Sequence, residues 1–185
     1  CYRCFFGKQY PECDIDCAGI LETVVRAEGA DSIAAFVAEP IVGLTGGAIV
    51  PPKEYFPIVR EICYKYNVHL ILDEVITGFG RTGRLFALEH WGVKPDIMTV
   101  GKGIASGYSP MAAAVTSREV VDAFTKGGGL VSHGHTFGGH PVSCAAASAC
   151  LEVILEDNLV ENAAKMGDYL MRRLMELDHK IIGDI

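Results

Sequence analysis

Lys102 stands between two glycines, in Gly101-Lys102-Gly103, directly after the apolar run Ile97-Met98-Thr99-Val100. Asp73 and Glu74 stand in the same relation to Leu70-Ile71-Leu72. Short apolar runs bounded by turn residues read as strands of a buried parallel sheet. In such sheets ligands sit outside the carboxyl ends of the strands. One strand thus brings a carboxylate to that edge, and another brings an amine. A lysine whose neutral form is within reach can form a Schiff base with a carbonyl group. A carboxylate beside a ring nitrogen keeps that nitrogen protonated, and such a ring draws electrons from a carbon attached to it. A third stretch, His133-Gly134-His135-Thr136-Phe137-Gly138-Gly139-His140-Pro141, places hydroxyl, imidazole and N–H groups on a glycine-rich loop. Alone, Lys102 would pass for a surface lysine after a strand. Its company, Asp73 upstream and Thr136 downstream, points to chemistry.

Other chemistries compete for the same residues. Gly78-Phe79-Gly80-Arg81-Thr82-Gly83 matches the dinucleotide fingerprint letter for letter. That fingerprint needs its first glycine at the strand end, its third opening a helix, and an acid on the next strand. Here Gly78 is detached from Asp73, Arg81 to Arg84 is a poor helix start, and the next strand ends without an acid. Leu70 to Glu74 resembles a Walker B strand, yet no phosphate-binding GxxxxGK[ST] loop exists. Cys1, Cys4, Cys13 and Cys17 could close a tetrahedral zinc site, or they are free thiols of a loop. His133, His135 and His140 could bind metal, but a glycine-rich loop leaves their geometry undetermined. No metal is expected at the site.

The elements that hold these residues follow from periodicity. Ile15 to Glu28 reads as an amphipathic helix stopped by Gly29, and Ile33 to Ala38 as a buried strand ending on Glu39-Pro40. Gly43 to Pro52 is turn-rich, Lys53 to Tyr66 is a helix, and His69 to Asp73 is the next strand. That strand–helix–strand unit should cross over right-handed. Phe86 and Trp91 should pack the segment before Ile97. Beyond Lys102 come a small-residue loop over Ala105–Pro110, a strand over Met111–Thr116, and a helix over 118–125 capped by Ser117. Pro141 opens an alanine-rich helix as its N1 residue, and Leu159 to Leu177 is a long amphipathic helix. The 185 residues, half of them hydrophobic, suffice for one sizeable core of α/β class. A net charge of −7 with no basic stripe argues against nucleic acid and anionic membrane as partners. No apolar run reaches spanning length, and no signal peptide opens the chain. Seven cysteines, an odd number, suggest a reducing cytoplasm rather than a disulfide framework. Starting on Cys1 suggests a chain that begins inside a longer one.

The segments DEVITGFGRTG at 73–83, KPDIMTVGKGIASGYSP at 94–110 and HGHTFGGHPVSCAAA at 133–147 resemble the class III, or omega, aminotransferases. These are fold-type I pyridoxal-phosphate enzymes. The resemblance covers essentially the whole chain, and the chain corresponds to the middle of such an enzyme. It implies a mostly parallel sheet with helices on both faces. Residues 1–158 would belong to the cofactor-binding large domain, and 159–185 would lead towards a small domain. It implies pyridoxal 5'-phosphate on Lys102, Asp73 at the ring nitrogen and Val75 on a ring face. Thr136 would meet the cofactor phosphate of a neighbouring subunit, making the intact enzyme a homodimer. The substrates would be a small amine or amino acid and a keto acid. Glu39 either caps nearby backbone or, by resemblance, pairs with an arginine that otherwise grips a substrate carboxylate. Many family members carry glutamine where this chain has Ile76, which steers towards pyruvate-linked or diverse ω-amine activities. An aminomutase or racemase would share Lys102 and Asp73. A non-catalytic fragment is the remaining alternative, and the 185 residues alone are expected to be inactive.

Overall fold

The computed structural model describes residues 4–129, 131–183 and 185. Its sheet has four strands in the order β1 (Ala35–Ala38), β2 (His69–Asp73), β3 (Ile97–Val100) and β4 (Ala113–Thr116). The first three run parallel, and β4 pairs antiparallel with β3. The α/β class with a mostly parallel sheet is therefore as expected. Register places Phe36, Leu70, Leu72 and Met98 on one face, and Val37, Ile71, Asp73 and Thr99 on the other.

Helices α1 (Asp16–Glu28) and α2 (Tyr55–Tyr66) cover the first of these faces. Leu70, Leu72, Phe56, Val59, Cys63 and Ala18 meet there at 0–1 % exposure. Burying each larger side chain of that set contributes about 1.5–3 kcal/mol. Trp91 closes the cluster, its ring edge-on to Phe56 at 5.2 Å and its indole N–H donating to Pro52 O at 3.1 Å. Phe86 joins a second cluster with Phe79, Met98, Val100, Ile104 and Ala147.

Several boundaries differ from the periodicity. Helix α1 starts one residue late, because Ile15 adopts a left-handed conformation, φ 53°, that a β-branched residue tolerates poorly. Strands β1 and β4 are each two residues shorter at their start than the apolar runs suggest. Helix α3 (Arg118–Lys126) begins behind Ser117, whose hydroxyl accepts from Val120 N at 3.4 Å. Helix α4 (Pro141–Glu156) starts on its proline, and α5 (Leu159–Leu174) ends three residues before Leu177. Helix α5 lies on the 80–83 turn: a Cβ on Gly83 would be 2.9 Å from Ala164 Cα, so glycine permits the contact.

The buried pair Arg60–Asp96 was not foreseen. Arg60 Nη1 donates to Asp96 Oδ2 at 2.8 Å, and the Leu70 N–H donates to the same oxygen at 2.7 Å. It fastens α2 to the amino ends of β2 and β3. Burial opposes the Asp96 carboxylate, but the Arg60 and Leu70 hydrogen bonds outweigh it and lower its pKa.

Candidate active site

Asp73 ends β2, and Lys102 lies two residues beyond the end of β3, the adjacent strand. Neighbouring strands are about 4.8 Å apart, so the two residues lie at the same edge of the sheet. Asp73 Oδ1 accepts from Val75 N at 2.9 Å, and among the described residues its second oxygen has no hydrogen-bond partner. The Lys102 side chain is exposed, and its backbone is left-handed, φ 40°. A non-glycine residue held there costs about 1–3 kcal/mol, and such residues persist only where the surroundings impose them. The flanking glycines show what does so. A Cβ on Gly103 would lie 3.1 Å from Phe79 Cβ, and one on Gly101 would lie 3.4 Å from Val75 Cγ1. The loop after β2 therefore rests on both neighbours of Lys102.

Glu74 turns away from this edge and is fully buried. Its carboxylate accepts from Ala87 N at 3.0 Å, Leu88 N at 2.7 Å and the Thr77 hydroxyl. Sequence reasoning gave it no role. The signal was strand parity: the acid after Asp73 must point to the core face and there needs N–H or O–H donors. Residues 81–86 form turns and bends, and a 3-10 turn starts only at Ala87, so Gly83 opens no helix and the dinucleotide reading is set aside.

Thr136 opens the exposed turn 136–139, closed by Gly138 N donating to His135 O at 2.8 Å. His140 caps α4, its Nδ1 accepting from Ser143 N at 3.4 Å. The rings of His133 and His135 stand edge-on, 5.0 Å apart. Among the described residues no group of three histidine, cysteine or acidic side chains is arranged to hold a metal. Of the four N-terminal cysteines, Cys1 lies outside the described residues, Cys13 is buried and Cys17 exposed. Glu39 Oε2 accepts from Gly43 N at 2.9 Å, the backbone-capping arrangement. Ile76 packs on Gly43, where a Cβ would meet its Cδ1 at 2.5 Å.

A cleft of about 820 Å³ opens between the sheet edge and the 133–140 loop. Val75, Thr99, Ala114, His133, His135 and Ser143 line it, whereas Asp73, Lys102 and Thr136 are not among its walls. A larger cleft, about 980 Å³ between the 81–90 segment and α5, lies apart from the lysine and the carboxylate.

The family model for class-III aminotransferases matches residues 8–185, and the chain belongs to that family. An aminotransferase of Gibberella zeae is 50 % identical over 89 % of this chain and 33 % of its own length. A leucine/methionine racemase of Thermococcus litoralis is 42 % identical over 100 % of this chain and 41 % of its own. An amine transaminase structure from an uncultivated Pseudomonas species, in its pyridoxal-phosphate-bound form, superposes with a TM-score of 0.89. Its identity is 42 %, over 94 % of this chain and 40 % of that one. The chain thus spans about a third to two-fifths of the relatives it matches. The cofactor of the family is pyridoxal 5'-phosphate. The residues present suit it: an exposed lysine just beyond one strand, flanked by glycines, and a carboxylate at the end of the adjacent strand with one oxygen held by Val75 N.

Proposed function

We propose that the protein moves an amino group from an amine or amino acid to a keto acid, with pyridoxal 5'-phosphate bound to Lys102. The observation that carries this is the imposed left-handed backbone of Lys102, at a strand end beside Asp73. When bound, the cofactor supplies an electron-withdrawing ring that stabilises negative charge at the substrate α-carbon. Asp73 would hold the proton on the ring nitrogen through its other oxygen, and Val75 would cover one ring face. The Lys102 amine, freed by substrate, would carry the proton from the substrate α-carbon to the cofactor C4′, two atoms away. Thr136 contributes its hydroxyl and N–H to the phosphate of a neighbouring subunit, so the working form is a homodimer. The seven cysteines of the chain suit a reducing cytoplasm. Among the described residues no helix is long and apolar enough to cross a membrane.

The test is borohydride reduction of the full-length protein with its cofactor, followed by peptide mapping. The pyridoxyl group is expected on Lys102, and Lys102→Ala should abolish both it and turnover. Undiminished labelling at Lys94 or Lys126 in that variant would overturn the assignment. A racemase that aligns over the whole of this chain, though over 41 % of its own length, supports a second reading, racemisation on the same residues. Amine consumption that depends strictly on added keto acid separates the two.

A further inference from the structure

We infer that Glu74 is a positioning residue for Lys102, acting through the loop it clamps. This rests on the reading of Lys102 as the residue that holds the cofactor. The carboxylate is fully buried, and its partners are the N–H groups of Ala87 and Leu88 and the hydroxyl of Thr77. These contacts draw the far end of the 75–88 segment back onto the end of β2. Two members of the segment then bear on the lysine. Val75 lies over Gly101, and Phe79 lies over Gly103. Phe79 is itself left-handed, φ 59°. Two non-glycine residues in this conformation, one bearing on the neighbour of the other, require a support that does not yield. Glu74 supplies it, since a buried carboxylate bound by three donors loses those bonds if it moves. Its own N–H donates to Thr99 O at 2.9 Å, which fixes the clamp to the strand that carries Lys102.

Glu74→Gln keeps the shape but replaces one acceptor oxygen by an NH2 group. Either orientation sets donor against donor, at Leu88 N or at Ala87 N. The clamp should loosen while the sheet stays intact. The readout is hydrogen exchange in the cofactor-free, full-length protein. The amides of Ile104 and Ala105, which donate to Gly101 O and Lys102 O, report the turn that bears the lysine. Both should exchange about tenfold faster in Glu74→Gln, with helix α1 unchanged, and cofactor affinity should fall by roughly the same factor. Gly103→Ala, which pushes on Phe79, should loosen the same turn. The double variant should lose no more than the worse single one, because both act along one path. Unchanged exchange at Ile104 and Ala105 in Glu74→Gln, or effects that add, would overturn the proposal. Should Glu74→Gln not fold, Thr77→Val keeps the carboxylate with its two N–H donors and gives the same test with a smaller effect. Unchanged exchange there overturns the proposal equally. The exchange readout involves no cofactor, so its failure is distinct from a failure of the aminotransferase reading, which the Lys102 mapping decides.

Discussion

Asp73 and Glu74 are neighbours in sequence, share a functional group and do opposite work. Asp73 faces the ligand edge with one oxygen engaged, whereas Glu74 is turned inward and saturated by donors. This gives Asp73→Asn a definite expectation. The amide oxygen can still accept from Val75 N, so the loop should hold and cofactor should still bind. The neutral group cannot keep the ring nitrogen protonated, and turnover should fall about a hundredfold or more. Steady-state kinetics with cofactor saturating checks this, and near-normal turnover would make Asp73 structural. The placing of Asp73 and Lys102 at the ends of adjacent strands was legible because strand ends and glycine punctuation are local patterns. The left-handed backbone of Lys102 was not. Phe79 and Val75, which bear on the residues either side of it, come from a different stretch of chain, and no local preference announces it.

Helices and strands were legible as far as their apolar spacing reached. Their ends were decided by contacts that spacing does not contain, such as the turn at Ile15. The Arg60–Asp96 pair is the clearest omission. Its members are 36 residues apart and meet only when α2 lies across β2 and β3. Arg60 is also stacked on the Tyr64 ring at 3.8 Å and donates to Lys94 O at 3.4 Å, and among the described residues its Nε is buried without a hydrogen-bond partner, so Asp96 supplies the guanidinium's one charged acceptor there. Asp96→Asn leaves that charge largely buried with only neutral acceptors and should cost about 1–3 kcal/mol of stability. The pH dependence follows from the lowered Asp96 pKa. A carboxylate with a depressed folded-state pKa stabilises above its unfolded value, and the contribution is lost as pH falls through the folded one. The stability gap between wild type and Asp96→Asn should therefore be widest near neutrality. It should shrink below the ordinary aspartate range, as measured by urea unfolding at several pH values. A gap that stays constant into acid would mean that the charge is irrelevant.

The chain carries Lys102 and Asp73 at the ends of adjacent strands and Thr136 on a separate loop, and the remaining question is whether that suffices for turnover. A cofactor phosphate of charge near −2 is best held by free N–H groups at a helix N-terminus. The described helices offer poor ones. Helices α1, α3 and α5 carry Asp16, Glu119 and Glu161 in their first turns, where a phosphate would be repelled. Helix α2 follows Glu54 and has Pro57 in its first turn. Helix α4 is already capped by His140, and the turn before it carries Thr136, whose proposed service is to another subunit. Lys102 needs only its amine to react slowly with an aldehyde, so weak labelling of residues 1–185 is expected. Turnover needs the ring held in one orientation, and positioning of that kind lowers a barrier by about 7–11 kcal/mol. Residues 1–185 expressed alone and supplied with pyridoxal phosphate should therefore not move an amino group to pyruvate or to 2-oxoglutarate at a measurable rate. An amine-transfer assay beside a full-length relative checks this. Turnover within about tenfold of that relative would mean that the phosphate is held by groups of this chain outside its helix N-termini, and that positioning on this scale is already present in it.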